Sequence, residues 1–317
     1  MNRNCKKIFR FSVSAFCGVG LLLGVSSAAT AQKTDIQAIQ STYQELRTYT
    51  LPDESTSEDR EIPARMRLLQ TRFKHQLRDL IVEELNEEAA SISRPAPEMR
   101  STIRQRLKAL RLITRTKEHL PLFSFGHVLD VSVSRPPGHP DFLAVGLVID
   151  ASWDQDQSLY IFQHQSSGWV DVLAAEVNDY RQVYDAQSSR FNFALSPSSA
   201  DGSWFLVTSS VVPHMASAWQ IVTYTALALG SDADHPKILV RRTHSIYLDR
   251  EDEGQACQIR TTANGFRVSF RVGVSSESLS DERYSDEYMI ASGAAKRIAV
   301  RCRTHNRFGQ RVACDPR

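Results

Sequence analysis

The sequence predicts an α+β protein, with an N-terminal helical hairpin region followed by a mainly antiparallel all-β domain. Apolar residues recur at three- and four-residue steps as far as Lys117; from Leu122 the spacing falls toward two, and β-branched and aromatic residues become dense. No helical pattern separates the later strands, so their connections are expected to be antiparallel, as in propeller-like blades or a sandwich. The resulting boundaries are a leader at 1–31, a helical region at 32–118 and a β-rich domain at 119–317.

The leader has the parts of a secretory signal peptide. Arg3, Lys6, Lys7 and Arg10 form a positive start, residues 11–25 are uncharged, and Ala29-Thr30-Ala31 supplies a small-residue cleavage site. Fifteen uncharged residues fall short of the about 20 that span a bilayer, so cleavage is expected rather than anchoring. The mature chain would carry 34 basic against 36 acidic residues, since the leader removes four of the 38 positive charges and none of the 36 negative ones. A net charge of −2 argues against global attraction to nucleic acid or anionic lipid. Three cysteines would remain, Cys257, Cys302 and Cys314, and an oxidising compartment favours pairing two of them. The preferred disulfide is Cys302–Cys314 across a turn-forming segment, with Cys257–Cys302 next and no disulfide third.

In the helical region, Thr34 and Gln37 suggest a capping box for a short helix bearing Ile36, Ile39, Tyr43 and Leu46. A polar loop at 51–57 precedes a longer helix with the stripe Ile62, Met66, Leu69, Phe73, Leu77, Leu80 and Leu85. Arg94-Pro95-Ala96-Pro97 ends it, and a third helix carries Met99, Ile103, Leu107, Leu110 and Ile113 to a stop near Pro121. That third helix is rich in arginine and lysine. The glutamates Glu83, Glu84, Glu87 and Glu88 of the preceding helix are expected to lie near its start.

Twelve strands are expected: 128–133, 142–149, 159–163, 169–173, 191–195, 204–212, 219–229, 238–248, 258–262, 266–274, 289–291 and 298–303. Ser166-Ser167-Gly168, Asp201-Gly202 and Asn264-Gly265 punctuate them as hairpin turns. They group as four, four, and three or four, in units of roughly 50 to 60 residues; the smallest closed propellers use about four such units.

Chemical motifs are sparse. No Gly-x-Ser-x-Gly elbow, glycine-rich phosphate loop, Cys-x-x-Cys pair or zincin histidine spacing occurs, so no metal and no cofactor is assigned. Calcium is the ion a local motif suggests, since Asp154-Gln155-Asp156-Gln157-Ser158 alternates oxygen ligands, although a polar hairpin tip gives the same letters; a transition-metal site would have to be assembled by the fold from ligands on distant strands. Asp232-Ala233-Asp234-His235 reads as a solvated turn. Trp153 and Trp204, with Asp154 and Asp156, are the candidate ligand-binding residues, because tryptophan beside acidic loops can stack on sugars. The catalytic residues are unknown. These features favour an exported, periplasmic or secreted, noncatalytic binding or scaffold protein. Its partner would be a protein or polymer, with no nucleic acid and no membrane span after cleavage. The alternative is a hydrolase of envelope or polymeric substrates acting through Asp154, Asp156 or Asp201.

Overall fold

A computed structural model describes residues 34–49, 63–87, 93–114, 120, 124–151, 155–176, 191–213, 219–247, 257–272, 282–291, 293–305 and 311–312. The leader, Trp153, Asp154 and Cys314 lie outside them. The described residues form three helices and three antiparallel sheets, an α+β class with a β-rich part. No closed propeller or barrel forms among the described strands. No helix among them is long and apolar enough to cross a membrane.

Helix α1 (Ile36–Thr48) starts at Asp35, whose carboxylate accepts from the Ala38 N–H at 3.1 Å. Asp35 rather than Thr34 is therefore the cap, because a carboxylate aligned with the helix dipole outcompetes the hydroxyl. In α2 (Ala64–Glu87) the stripe Met66, Leu69, Phe73, Leu77 and Leu80 is buried, as its spacing requires. Gln70, Lys74 and Arg78 run beside that stripe at four-residue steps and are buried as well. Helix α3 (Ala96–Ala109) stops earlier than its apolar spacing predicts. The Arg111 N–H reaches Lys108 O at 3.0 Å and the Leu112 N–H reaches Leu107 O at 2.8 Å, with Arg111 at φ 57°. This left-handed cap turns the chain so that Leu112 enters the core and Ile113 pairs with Val128.

The first sheet is β1 (Phe125–Ser134), β2 (Phe142–Ala151), β3 (Gln155–Gln165) and β4 (Gly168–Ala175), neighbours in that order. The second is β5 (Asn192–Leu195), β6 (Phe205–Pro213), β7 (Trp219–Ala228) and β8 (Lys237–Tyr247). The third is β9 (Cys257–Thr262), β10 (Gly265–Val272), β11 (Glu282–Ala291) and β12 (Ala294–His305), extended by the two residues of β13 (Arg311–Val312). Alternation sorts the side chains into three cores. Phe73, Val145, Ile149, Tyr160 and Phe162 fill the space between the helices and the first sheet. Ala144, Ile161, Trp204 and Leu206 fill the next, and Val207, Tyr224, Val268 and Phe270 the last. The second sheet thus uses both faces, with odd positions of β6 turned one way and even positions the other.

Two connections bind these layers. Asn86 of α2 reaches the β3–β4 hairpin, donating from Nδ2 to Trp169 O at 3.0 Å and accepting from Trp169 N at 2.8 Å. A side chain at Gly168, which has φ +114°, would run into Asn86, so glycine is required there. The loop after β7 leans back on β4 through a hydrogen bond from Ala174 N to Ala233 O at 2.8 Å.

Candidate functional site

The contact between α2, the first sheet and the β7–β8 loop gathers a cluster of buried ionisable groups. Lys74 Nζ lies 3.6 Å from Asp156 Oδ2, and both side chains are 0 % exposed. Ser158 Oγ donates to Asp156 Oδ1 at 3.0 Å. Glu176, just past β4, accepts from the Tyr160 hydroxyl at 2.6 Å through Oε2, and its Oε1 lies 3.3 Å from His75 Nε2. His75 is also 3.6 Å from Asp234 Oδ1. Arg78 grips Asp234 with both terminal nitrogens and approaches Asp171 at 3.3 Å.

The local sequence explains this convergence. Lys74, His75 and Arg78 occupy one turn of α2, while Asp156, Ser158 and Tyr160 alternate onto one face of β3. The Asp232 carboxylate accepts from the backbone N–H groups of Asp234 and His235 at 3.0 Å each, shaping the turn that presents Asp234.

Protonation follows position. Burial disfavours the Glu176 charge, but Lys74, His75 and the Tyr160 hydroxyl together hold its carboxyl down at about 2. Burial raises the Asp156 carboxyl against the pull of Lys74. Burial and Glu176 push the Tyr160 phenol well above its usual range. Glu176, with Asp234 behind it, raises His75 against the opposing effect of burial. Lys74 and Asp156 are sealed, whereas His75 and Asp234 keep 33 % and 28 % of their side-chain surface, so any ligand must reach the cluster from their side.

A second buried cluster ties the second sheet to the third. Asp286 receives the Tyr224 hydroxyl and the Arg297 guanidinium, with Arg297 Nε at 3.1 Å and His244 Nε2 at 3.3 Å. Although burial works against it, hydrogen bonds from His244, Tyr224 and Arg297 hold the Asp286 carboxyl at about 2. Its ordinary value is 3.8, so the folded state binds the proton less tightly than the unfolded chain. The stabilisation is fully present above pH 4 and is lost as pH falls from about 4 to about 2, amounting to about 2 kcal/mol. Urea midpoints over that range should fall for the natural chain and stay flatter for Asp286→Asn.

The outer face of the third sheet is basic. Arg260, Arg267 and Glu287 stand in one cross-strand row, and Gln258, Ser269, Ser285 and Arg301 in an adjacent row. The register also sets Arg271, Arg283 and Arg303 side by side, two residues further along their strands. Lys296 pairs with Met289 at the other end. Arg260, Lys296 and Arg301 are exposed. Glu287 answers Arg267 at 3.0 Å and Arg301 at 3.3 Å. The arginines of α3 are differently engaged, since Arg100 and Arg104 both close on Asp130 and Arg106 lies 3.7 Å from Glu84. Glu84 therefore meets the end of α3 rather than its start.

The sequence-predicted ligand residues are not brought together among the described residues. Asp156 is a strand residue facing Lys74, not a calcium-loop ligand, because period-two polarity is the period of a strand as much as of a loop. Trp204 is buried between the first two sheets against Phe142 and His139, with ring centroids at 5.1 and 6.4 Å. Asp201 sits in an exposed turn, where Ser199 and Ser203 engage its carboxylate. Cys257 is a buried free thiol pushed up to about 11 by burial, which keeps it protonated and unreactive. A Cys257–Cys302 bridge is ruled out by register. Phe270 and Tyr284 stand between them in the same row, which puts the two backbones three strand spacings, about 14 Å, apart. Cys314, the other partner expected for Cys302, lies outside the described residues.

The junction and the basic face were both missed from sequence, although each left a trace. Gln70, Lys74 and Arg78 recur at the helical step, and Arg267 and Arg271 alternate with apolar residues along β10. Compared with protein families, curated proteins and solved structures, the chain matches none.

Proposed function

We propose that the chain is an exported, noncatalytic binding protein that holds an anionic polysaccharide on the outer face of its third sheet. The supporting observation is the set of arginine positions on β9 to β12, in which cross-strand neighbours such as Arg260 and Arg267 stand about 5 Å apart, Arg301 and Arg303 about 7 Å apart along β12, and Arg267 and Arg271 about 13 Å apart along β10. Such spacing matches repeated sulfate or carboxylate groups on a linear chain, and arginine recognises both with paired N–H donors. Among the described residues this face has no Phe, Tyr or Trp on which nucleotide bases would stack. Noncatalytic character is supported by the junction, where Lys74, Asp156 and Glu176 are engaged with one another inside the layers. Export rests on the leader.

The test is chromatography of the mature chain on immobilised heparin, a sulfated polysaccharide, with a salt gradient. Retention at low salt is expected, and Arg260→Glu with Arg301→Glu should lower the eluting salt strongly while thermal stability stays within about 0.5 kcal/mol per exposed site. Flow-through of the natural chain at low salt, or unchanged elution of the doubly reversed variant, contradicts the proposal.

A further inference from the structure

We propose that His75, Glu176 and Asp234 form a binding site for a divalent transition metal of the zinc class, clamping α2, the first sheet and the β7–β8 loop together. The three ligand atoms, His75 Nε2, Glu176 Oε1 and one Asp234 carboxylate oxygen, lie within 4.8 Å of one another. Two of the separations are 3.3 and 3.6 Å. Zinc bonds of about 2.0–2.1 Å at a tetrahedral angle set ligand atoms about 3.4 Å apart, which the two separations from His75 match.

An independent feature points to the same ion. Glu176 Oε1 is buried, with its side chain 0 % exposed, yet it has no hydrogen-bond partner, and neither does His75 Nε2. The two atoms stand 3.3 Å apart, an ion pair only when His75 is protonated. A buried carboxylate oxygen without a donor is costly, and a metal would satisfy it together with the imidazole lone pair.

The surroundings fit as well. Glu176 Oε2 is held by Tyr160, and Arg78 holds both Asp234 oxygens, Oδ2 at 3.1 Å and Oδ1 through its other terminal nitrogen, which orients both ligands and leaves Oδ1 shared between Arg78 and the ion. Among the described residues, Asp156, Asp171, Glu176 and Asp234 face Lys74 and Arg78 as permanent cations, a deficit of two charges within that set when His75 is neutral, and Asp79 adds negative charge at the edge. His75 and Asp234 keep 33 % and 28 % of their side-chain surface, which leaves entry for the ion, and a water would complete its tetrahedron. An imidazole with two carboxylates selects zinc over calcium or magnesium, which prefer oxygen alone.

The test is calorimetric titration and thermal melting of the metal-stripped mature chain with zinc chloride, then with calcium and magnesium chloride. One zinc equivalent is expected, with a melting rise of about 5 °C at about a hundredfold excess over Kd, and no rise with calcium or magnesium. His75→Gln and Asp234→Asn, both near-isosteric, should each lose that equivalent and the rise. No zinc-dependent shift in the natural chain, or the same equivalent and rise in His75→Gln, overturns the site.

Discussion

Replacing Lys74 by Met should destabilise the protein by about 3–5 kcal/mol, because it leaves the Asp156 carboxylate buried without its cation. The variant has the right volume for its place on α2, so the loss measures charge rather than packing. Asp156 then answers mainly to Ser158, and its carboxyl rises further above its ordinary value. The penalty should therefore shrink as pH falls and protonation removes the orphaned charge. Pairing Lys74→Met with Asp156→Leu should recover much of the loss, since an apolar pair of similar volume replaces a buried ion pair at little net cost. Urea denaturation of the two single variants and the double variant at pH 7 and pH 5 measures both effects. A single variant as stable as the natural chain would mean that the Lys74–Asp156 contact is not formed.

Phe73→Ala should have a comparable effect by a different mechanism. Phe73 is 0 % exposed, stacks on Tyr43 with ring centroids at 5.6 Å, and fills the core between the helices and the first sheet. Removing its ring empties space bounded by rigid strands, which relax little, and the expected loss is about 3–5 kcal/mol. Leu68, on the opposite side of α2 and 70 % exposed, provides the control. Leu68→Ala should change stability by less than about 0.5 kcal/mol. Thermal melts of the pair separate a core helix from one lying loosely on the surface.

Much of the architecture was legible because most strands carry their burial pattern openly. Residues 142–149 and 204–212 alternate or run apolar as a sheet between two layers must, and the strands group four by four as the sheets do. β11 was read only at its last residues, because Glu282–Ala291 contains Arg283, Asp286 and Glu287, letters that ordinarily mark a loop. Asp286 is tolerated inside because Tyr224, His244 and Arg297 arrive from other strands, and no local pattern announces that. The α3 terminus misled for a related reason. Leu110 and Ile113 kept the helical spacing, while the left-handed turn at Arg111 sent them to the core by another route.

The candidate sites were less legible than the fold. His75, Glu176 and Asp234 are separated by roughly a hundred and by about sixty residues, and only the return of the β7–β8 loop to β4 makes them neighbours. Asp232-Ala233-Asp234-His235 had every sign of a solvated turn, and Asp232 and His235 do sit at the surface. The basic face was hidden by the near-zero overall charge, since arginines that alternate with apolar residues in β9 to β12 concentrate on one side only after the sheet forms.

Polysaccharide binding by the third sheet is tested most directly by hydrogen exchange of the mature chain with and without a saturating sulfated oligosaccharide. Added protection is expected in residues 257–272 and 282–305, with α1 to α3 and the first sheet unchanged. Protection confined to the helices or the first sheet, or none anywhere at saturation, would contradict it.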